Sequence, residues 1–267
     1  MNFLILGRGK VGTGLYGALR KNHQDVRLES ARGYDHEAIK SAECIILAVQ
    51  DPFIEPLADQ LSQWIRPGQT VIHCAGSFGI SALRACTSRG AHAGVMHPLI
   101  SFASKEHPPE LQGASFVSSG TPAALEAART LSSYVGAHLI EAPVHGAAYH
   151  ATAAIVANGS TALVDTCLPL LKRLGIDHAE ASMAMARLLR SVADNIQGLG
   201  LPGALTGPVA RGDVDTFRAH RAALATEAPE ILRTYDALAP TILRCARDAG
   251  LPDSAADAIL AALKEED

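Results

Sequence analysis

The sequence predicts an α/β fold, with an N-terminal Rossmann-type, mostly parallel sheet followed by an all-helical C-terminal domain. Three observations predict it. Short, continuously apolar runs alternate with amphipathic segments up to about residue 140. A glycine-rich turn joins the first run to the first amphipathic segment. Beyond Pro143 apolar residues recur only at helical spacing. Continuous apolar runs suit parallel strands covered on both faces, and strand–helix alternation implies right-handed crossovers.

Taken in order, Phe3–Leu6 reads as a buried strand. Lys10–Lys21 follows with Val11, Leu15, Ala18 and Leu19 on one helical face. Val26–Glu29 is a second strand and residues 44–49 a third, apolar throughout. Residues 52–65 form an amphipathic segment that stops before Pro67-Gly68. Strands at 70–74 and 93–96 flank a helix at 80–88. A strand at 114–117, a helix over Pro122–Val135 and a strand at 137–140 complete the alternation. Helices are then predicted over 147–174, 182–199, 214–225, 228–249 and 254–264. Residues 198–212, rich in Pro and Gly, are the one long irregular stretch and read as a binding loop. The texture change places a boundary at 141–146, dividing a dinucleotide-binding domain, 1–143, from a helical substrate and dimerisation domain, 144–267.

A chain of 267 residues suits about two domains and can bury a core without disulfides or metals. The formal charge of −4 gives no general attraction to nucleic acid or anionic lipid. Five scattered cysteines with no C-x-x-C pair argue against a disulfide scaffold or structural zinc and for a reducing compartment. The first apolar run is too short for a signal peptide, and residues 44–49 fall far below the ~20 residues of a membrane span. The expectation is a cytoplasmic protein without membrane, nucleic-acid or metal partners.

Gly7-Arg8-Gly9-Lys10-Val11-Gly12 fits G-x-G-x-x-G, and its position after the first strand and at the opening of the first helix gives it weight. Gly7 permits the tight turn, Gly9 lets backbone approach a diphosphate, and Gly12 permits close helix–strand packing. The helix N-terminus offers unpaired N–H groups to phosphate oxygens. Arg32 and Ser30, with Arg8, suit the extra phosphate of NADP, whereas Glu29 suits the ribose of NAD. The reading is NADP, with NAD open. Val49 and Gln50, Gly76 and Ser77, and His97 follow later strands at the edge where ligands bind such sheets. Asp51 reads as an N-cap for the helix after it.

Hydride transfer to a carbonyl or imine needs a proton donor and orienting groups. His97 lies beyond a strand end, and His145 and His150 lie at the domain junction. Tyr149, His150 and Asn158 fit one helix, with 150, 154 and 158 in one stripe. We read His150 as proton donor, Asn158 and Ser77 as substrate orienters, His97 and Tyr149 as polar contacts, and Arg211 as an anion anchor. Asp213 reads as an N-cap, and Met183 and Met185 as core filler.

These pieces together, with Ala48-Val49-Gln50-Asp51, His97-Pro98-Leu99 followed by Ser101-Phe102, and Leu205 through Asp213 followed by His220, resemble the Rossmann-like oxidoreductases that carry a C-terminal domain of unknown function 2520. The N-terminal part is similar to pyrroline-5-carboxylate reductases, β-hydroxyacid dehydrogenases and ketopantoate reductases. The resemblance implies NAD(P) binding, a helical second domain and a homodimer through that domain, with the cleft between domains. It also implies a lysine on the first helix after the Rossmann domain, and this chain has none between Glu141 and Asn158. The reading is an NADPH-dependent reductase of a small carbonyl or imine acid. A ketopantoate-type or other hydroxyacid dehydrogenase, and a dinucleotide-binding sensor without turnover, stay open.

Overall fold

The computed structural model describes residues 1–265 apart from His23 and His145. The chain divides into two compact units, one up to Ala157 and the other from Asn158 onward.

The first unit is built on seven strands: β1 (Phe3–Leu6), β2 (Val26–Glu29), β3 (Cys44–Leu47), β4 (Thr70–His73), β5 (His92–Pro98), β6 (Ser115–Gly120) and β7 (His138–Glu141). Their order is β2-β1-β3-β4-β5-β6-β7, so the winding reverses between β1 and β3. All neighbours are parallel except β5 and β6. No helix lies between Pro98 and Ser115, and without a helical crossover the chain returns antiparallel.

Strand alternation sorts the core into two layers. Leu4, Leu6, Ile45 and Leu47 face α2 (His36–Ser41) and α3 (Ile54–Ser62). Phe3, Ile5, Ile46 and Phe116 face α1 (Lys10–Lys21) and α5 (Pro122–Val135). Every side chain of β1, β3 and β4 is buried, as the unbroken apolar runs of β1 and β3 require; β4 also buries the polar Thr70 and His73. Thr121 caps α5 and Pro122 opens it, while Gly136 closes it in the left-handed conformation at φ +69°.

Some boundaries differ from the sequence expectation. The segment 52–65 is a 3₁₀ turn, Asp51–Phe53, running into α3. The segment 80–88 is likewise a 3₁₀ turn, Ile80–Leu83, followed by α4 (Arg84–Thr87). Helix α2 was not anticipated, because six residues are too few to display a helical period; its signal is Asp35, whose carboxylate caps it through the Glu37 N–H.

Helix α6 (Ala147–Arg173) starts in the first unit and runs unbroken through Asn158-Gly159. In the second unit follow α7 (His178–Leu199), α8 (Pro208–Arg211), α9 (Val214–Glu227), α10 (Pro229–Asp248) and α11 (Asp253–Leu263). Val209, Phe217, Ala239, Leu243, Ala256 and Ile259 form this unit's core. Within it the Arg221 guanidinium is buried, paired with Asp236 at 3.0 Å and donating to the Ala262 carbonyl at 2.8 Å.

Helices α6 and α7 bury little: Leu168 and Ala181 are their buried residues. Ile155, Val156, Leu188, Val192, Ile196 and Leu199 are exposed. Met183 is 55% exposed, which overturns its reading as core filler; helical spacing marks an apolar face without saying what covers it. By length and composition alone α6 would also cross a membrane, although the sequence reading found no such segment. That reading counted unbroken apolar runs, and in α6 the apolar residues are interrupted by short polar stretches such as residues 158–161.

Candidate functional site

The turn between β1 and α1 is shaped by what its glycines exclude. Gly7 has φ +127°, and a Cβ there would collide with the Ala48 carbonyl. One on Gly12 would collide with the Gly7 carbonyl, so the first turn of α1 lies directly on the end of β1. At Gly9, by contrast, the nearest atom to an added Cβ is the Ala48 oxygen at 3.9 Å, and the backbone stands open. Gly9 is the N-cap of α1, no side chain caps the helix, and its first turn holds no acidic residue. Orphan N–H groups and the positive end of the helix therefore face the open side of the loop, an arrangement that fits a diphosphate. Arg8 and Lys10 flank it, both exposed, while Val11 is half-buried against the core.

The residues after β2 form a tight loop. Ser30 Oγ accepts from the Arg32 N–H at 3.2 Å, and Ser30 bridges Gly33. The Glu29 carboxylate accepts from the Asp35 N–H at 2.7 Å, so it braces this loop. Arg32 is exposed and takes part in no ion pair among the described residues. Arg8 reaches back to the Leu28 carbonyl at 3.5 Å, which puts both guanidinium-bearing residues at the β1–β2 end of the edge.

Along the same edge, Val49 and Gln50 follow β3. Asp51 does not act as a helix cap: Gln50 occupies the N-cap position of the 3₁₀ turn, and the Asp51 carboxylate accepts a short hydrogen bond from the Ser77 hydroxyl. That bond joins the β3 and β4 loops, a link across 26 residues that no local pattern announces. Behind it, buried His73 accepts from the Ala75 N–H on Nδ1, and its Nε2 contacts the Gly79 carbonyl at 3.1 Å, so the ring is the neutral Nε2–H tautomer.

Gly76 does more than leave room for a ligand. A Cβ there would lie 3.0 Å from the His97 ring, so the imidazole rests on its backbone. The Gly76 carbonyl accepts from the Gly146 N–H at 3.0 Å, which brings the start of α6 to the end of β4. In the first turn of α6, Tyr149 Oη lies 2.9 Å from His97 Nδ1 with the rings edge-on. The His150 ring also packs edge-on to His97, centroids 5.8 Å apart. Tyr149 is half-buried, and burial pushes its phenol upward; His150 is exposed. The structure thus gathers His97, Tyr149, His150, Gly76 and Ser77 at the carboxyl edge of β4 and β5, in a pattern able to hold and move a proton.

Asn158 is exposed two turns further along α6. His145 lies outside the described residues. In the second unit, Arg211 ends α8 and is exposed, 4.0 Å from Asp213. Asp213 caps α9 as expected, and the Thr216 N–H and hydroxyl hold its carboxyl below the usual aspartate range. Nearby, a pocket of about 150 Å³ is lined by Thr206, Val209, Phe217, His220, Tyr235 and Ile242.

Residues 21–98 match the model of a Rossmann-like domain, and residues 114–242 match the domain of unknown function DUF2520. The chain joins a Rossmann-like domain to a DUF2520 domain. The DUF2520 match begins ahead of β6, so this domain includes the last two strands of the sheet as well as helices. Among solved structures, a Bacteroides fragilis protein assigned as an NADP oxidoreductase is 20% identical, with TM-score 0.67 over 91% of this chain and 98% of its own. Protein TM1727 from Thermotoga maritima is also 20% identical, with TM-score 0.66 over 92% and 99%. Pyrroline carboxylate reductase from Plasmodium falciparum, with NADP bound, is 11% identical, with TM-score 0.61 over 99% and 98%. At these identities the likeness is one of fold. No curated protein matches the sequence.

Proposed function

We propose that this protein is an NADPH-dependent oxidoreductase that reduces a small carbonyl or imine acid. The observation that carries the reading is the loop at Gly7–Gly12, whose open backbone at Gly9 and uncapped helix N-terminus suit a dinucleotide diphosphate. The fold likeness to NADP-binding reductases supports it. Arg8, Lys10 and Val11 would line the diphosphate, and Ser30 with Arg32 would take the 2′-phosphate. Glu29, engaged with the Asp35 N–H, is drawn away from the ribose role it plays in NAD binders. Val49, Gln50, Gly76 and Ser77 would border the nicotinamide, which supplies hydride when the cofactor is bound.

The reduction also needs a proton, and His97, Tyr149 and His150 form the cluster proposed to supply it, with His150 the donor expected from the sequence. Asn158 and Ser77 would orient the substrate and Arg211 would anchor its carboxylate. The exposed apolar residues of α6 and α7 support a homodimer formed through the helical domain. A second reading, a dinucleotide sensor without turnover, is favoured by the absence of lysine between Glu141 and Asn158.

Fluorescence titration with NADPH and NADH tests the first step. Saturable NADPH binding, tighter than NADH, is expected, and binding of neither would end both readings. A panel of carbonyl and imino acids, followed at the nicotinamide absorbance, then separates enzyme from sensor.

A further inference from the structure

The geometry points to Tyr149 as the group that protonates the reduced substrate, with His97 restoring its proton; this assignment rests on the reductase reading. His97 is held on three sides. Its ring lies on the Gly76 backbone, its Nδ1 meets Tyr149 Oη at 2.9 Å, and His150 packs against its edge. Gly76 in turn receives the Gly146 N–H, so the backbone that seats the imidazole also seats the start of the helix that presents the phenol. Pairing of Tyr149 with His97 is therefore built into β4, β5 and α6 together rather than into one mobile side chain.

His150 has a different setting. It is exposed and makes no side-chain hydrogen bond among the described residues, its contact with His97 being a ring edge alone. A proton donor works best when it is held in place and can be resupplied. Tyr149 meets both conditions, and burial raises its phenol, so it carries its proton throughout the neutral range.

For a carbonyl substrate the step balances as follows. A bound reduced nicotinamide would supply hydride to the carbonyl carbon, the C=O π pair would move to oxygen, and that oxygen would take the proton from Tyr149 Oη. The phenolate takes the proton from His97 Nδ1–H as the other ring nitrogen takes one from solvent, so the imidazole stays neutral and one solvent proton is consumed per turnover. The products are the alcohol and the oxidised nicotinamide. An iminium whose nitrogen is fully alkylated needs no proton, because hydride addition alone gives the neutral amine. This difference separates proton delivery from simple positioning.

The test compares wild type with Tyr149→Phe and His150→Ala. In Tyr149→Phe, NADPH affinity should stay within twofold, carbonyl reduction should fall at least 100-fold, and reduction of an N-methyl cyclic iminium should fall less than fivefold. His150→Ala should lower carbonyl reduction less than tenfold. In nitrogen-15 spectra of labelled histidine, the His97 Nδ1 resonance should move in Tyr149→Phe without any cofactor present. Equal losses on both substrates in Tyr149→Phe would overturn the assignment. So would a carbonyl-selective loss in His150→Ala instead, or an unmoved His97 resonance. A wild type that binds NADPH but reduces neither substrate would remove the reductase reading and this role together, whereas the preceding outcomes remove this role alone.

Discussion

A Cβ placed on Gly12 would fall on the carbonyl oxygen of Gly7. The two residues bring the first turn of α1 onto the end of β1, and neither can be exchanged without moving backbone. Gly12→Ala should therefore cost about 2 kcal/mol or more of stability, together with dinucleotide affinity. Gly9→Ala offers the contrast, because its new methyl carbon would find its nearest neighbour at 3.9 Å. The fold should tolerate it, with a melting temperature close to wild type, while NADPH affinity falls more than tenfold. Thermal unfolding and fluorescence titration read the two effects separately.

Arg32 should set the preference between cofactors. Loss of its guanidinium in Arg32→Ala should weaken NADPH about tenfold, or ~1.4 kcal/mol, and leave NADH within twofold. Equal weakening of both cofactors would mean that Arg32 does not meet the 2′-phosphate.

Burial of Arg221 beside Asp236 makes that pair a structural liability if split. Asp236→Ala should destabilise the second unit by about 3 kcal/mol, because it removes a carboxylate partner from a buried guanidinium. Chemical denaturation followed by circular dichroism measures this. Arg221→Met, which removes the charge and keeps much of the volume, should cost less.

Asp213 predicts an acid dependence. Its carboxyl is held below the ordinary value by hydrogen bonds from Thr216, so the charged form is favoured in the folded chain. The stability it contributes is fully present above the ordinary aspartate pKa of about 3.9 and is lost as pH falls through the lower folded value. In Asp213→Ala that part of the acid destabilisation should vanish, as a stability profile from pH 6 to pH 2 would show.

The apolar residues of α6 and α7 predict association. Wild type should sediment as a dimer, and Leu188→Asp should shift it to monomer while leaving the helical content unchanged. A wild-type monomer at micromolar concentration would remove the dimer proposal.

The parts of this architecture that were legible in the sequence are those with local causes. Phe3–Leu6 and residues 44–47 announce buried strands by being apolar at every position, and Thr121, Pro122 and Gly136 mark both ends of α5. The glycine loop was legible because its spacing is contiguous. The site cluster was legible only in part. His97 and Tyr149 could each be singled out, but the hydrogen bond between them spans 52 residues and depends on how β5 and α6 meet. Asp51 was misread for the same reason, since its partner Ser77 lies on another loop. Arg221 gave no sign at all: a lone arginine on a predicted helix looks like a solvated charge until Asp236 and the Ala262 carbonyl are brought to it by folding.

The sheet ends on both sides in strands of four residues, β2 and β7, which carry Arg27 and Glu29 on one margin and His138 and Glu141 on the other. Margins so short and so polar are poor templates for recruiting a foreign strand. Copies of this protein that meet in concentrated solution are thus steered away from cross-β growth, and whatever self-recognition they show must come from interlocking side chains rather than shared backbone ladders.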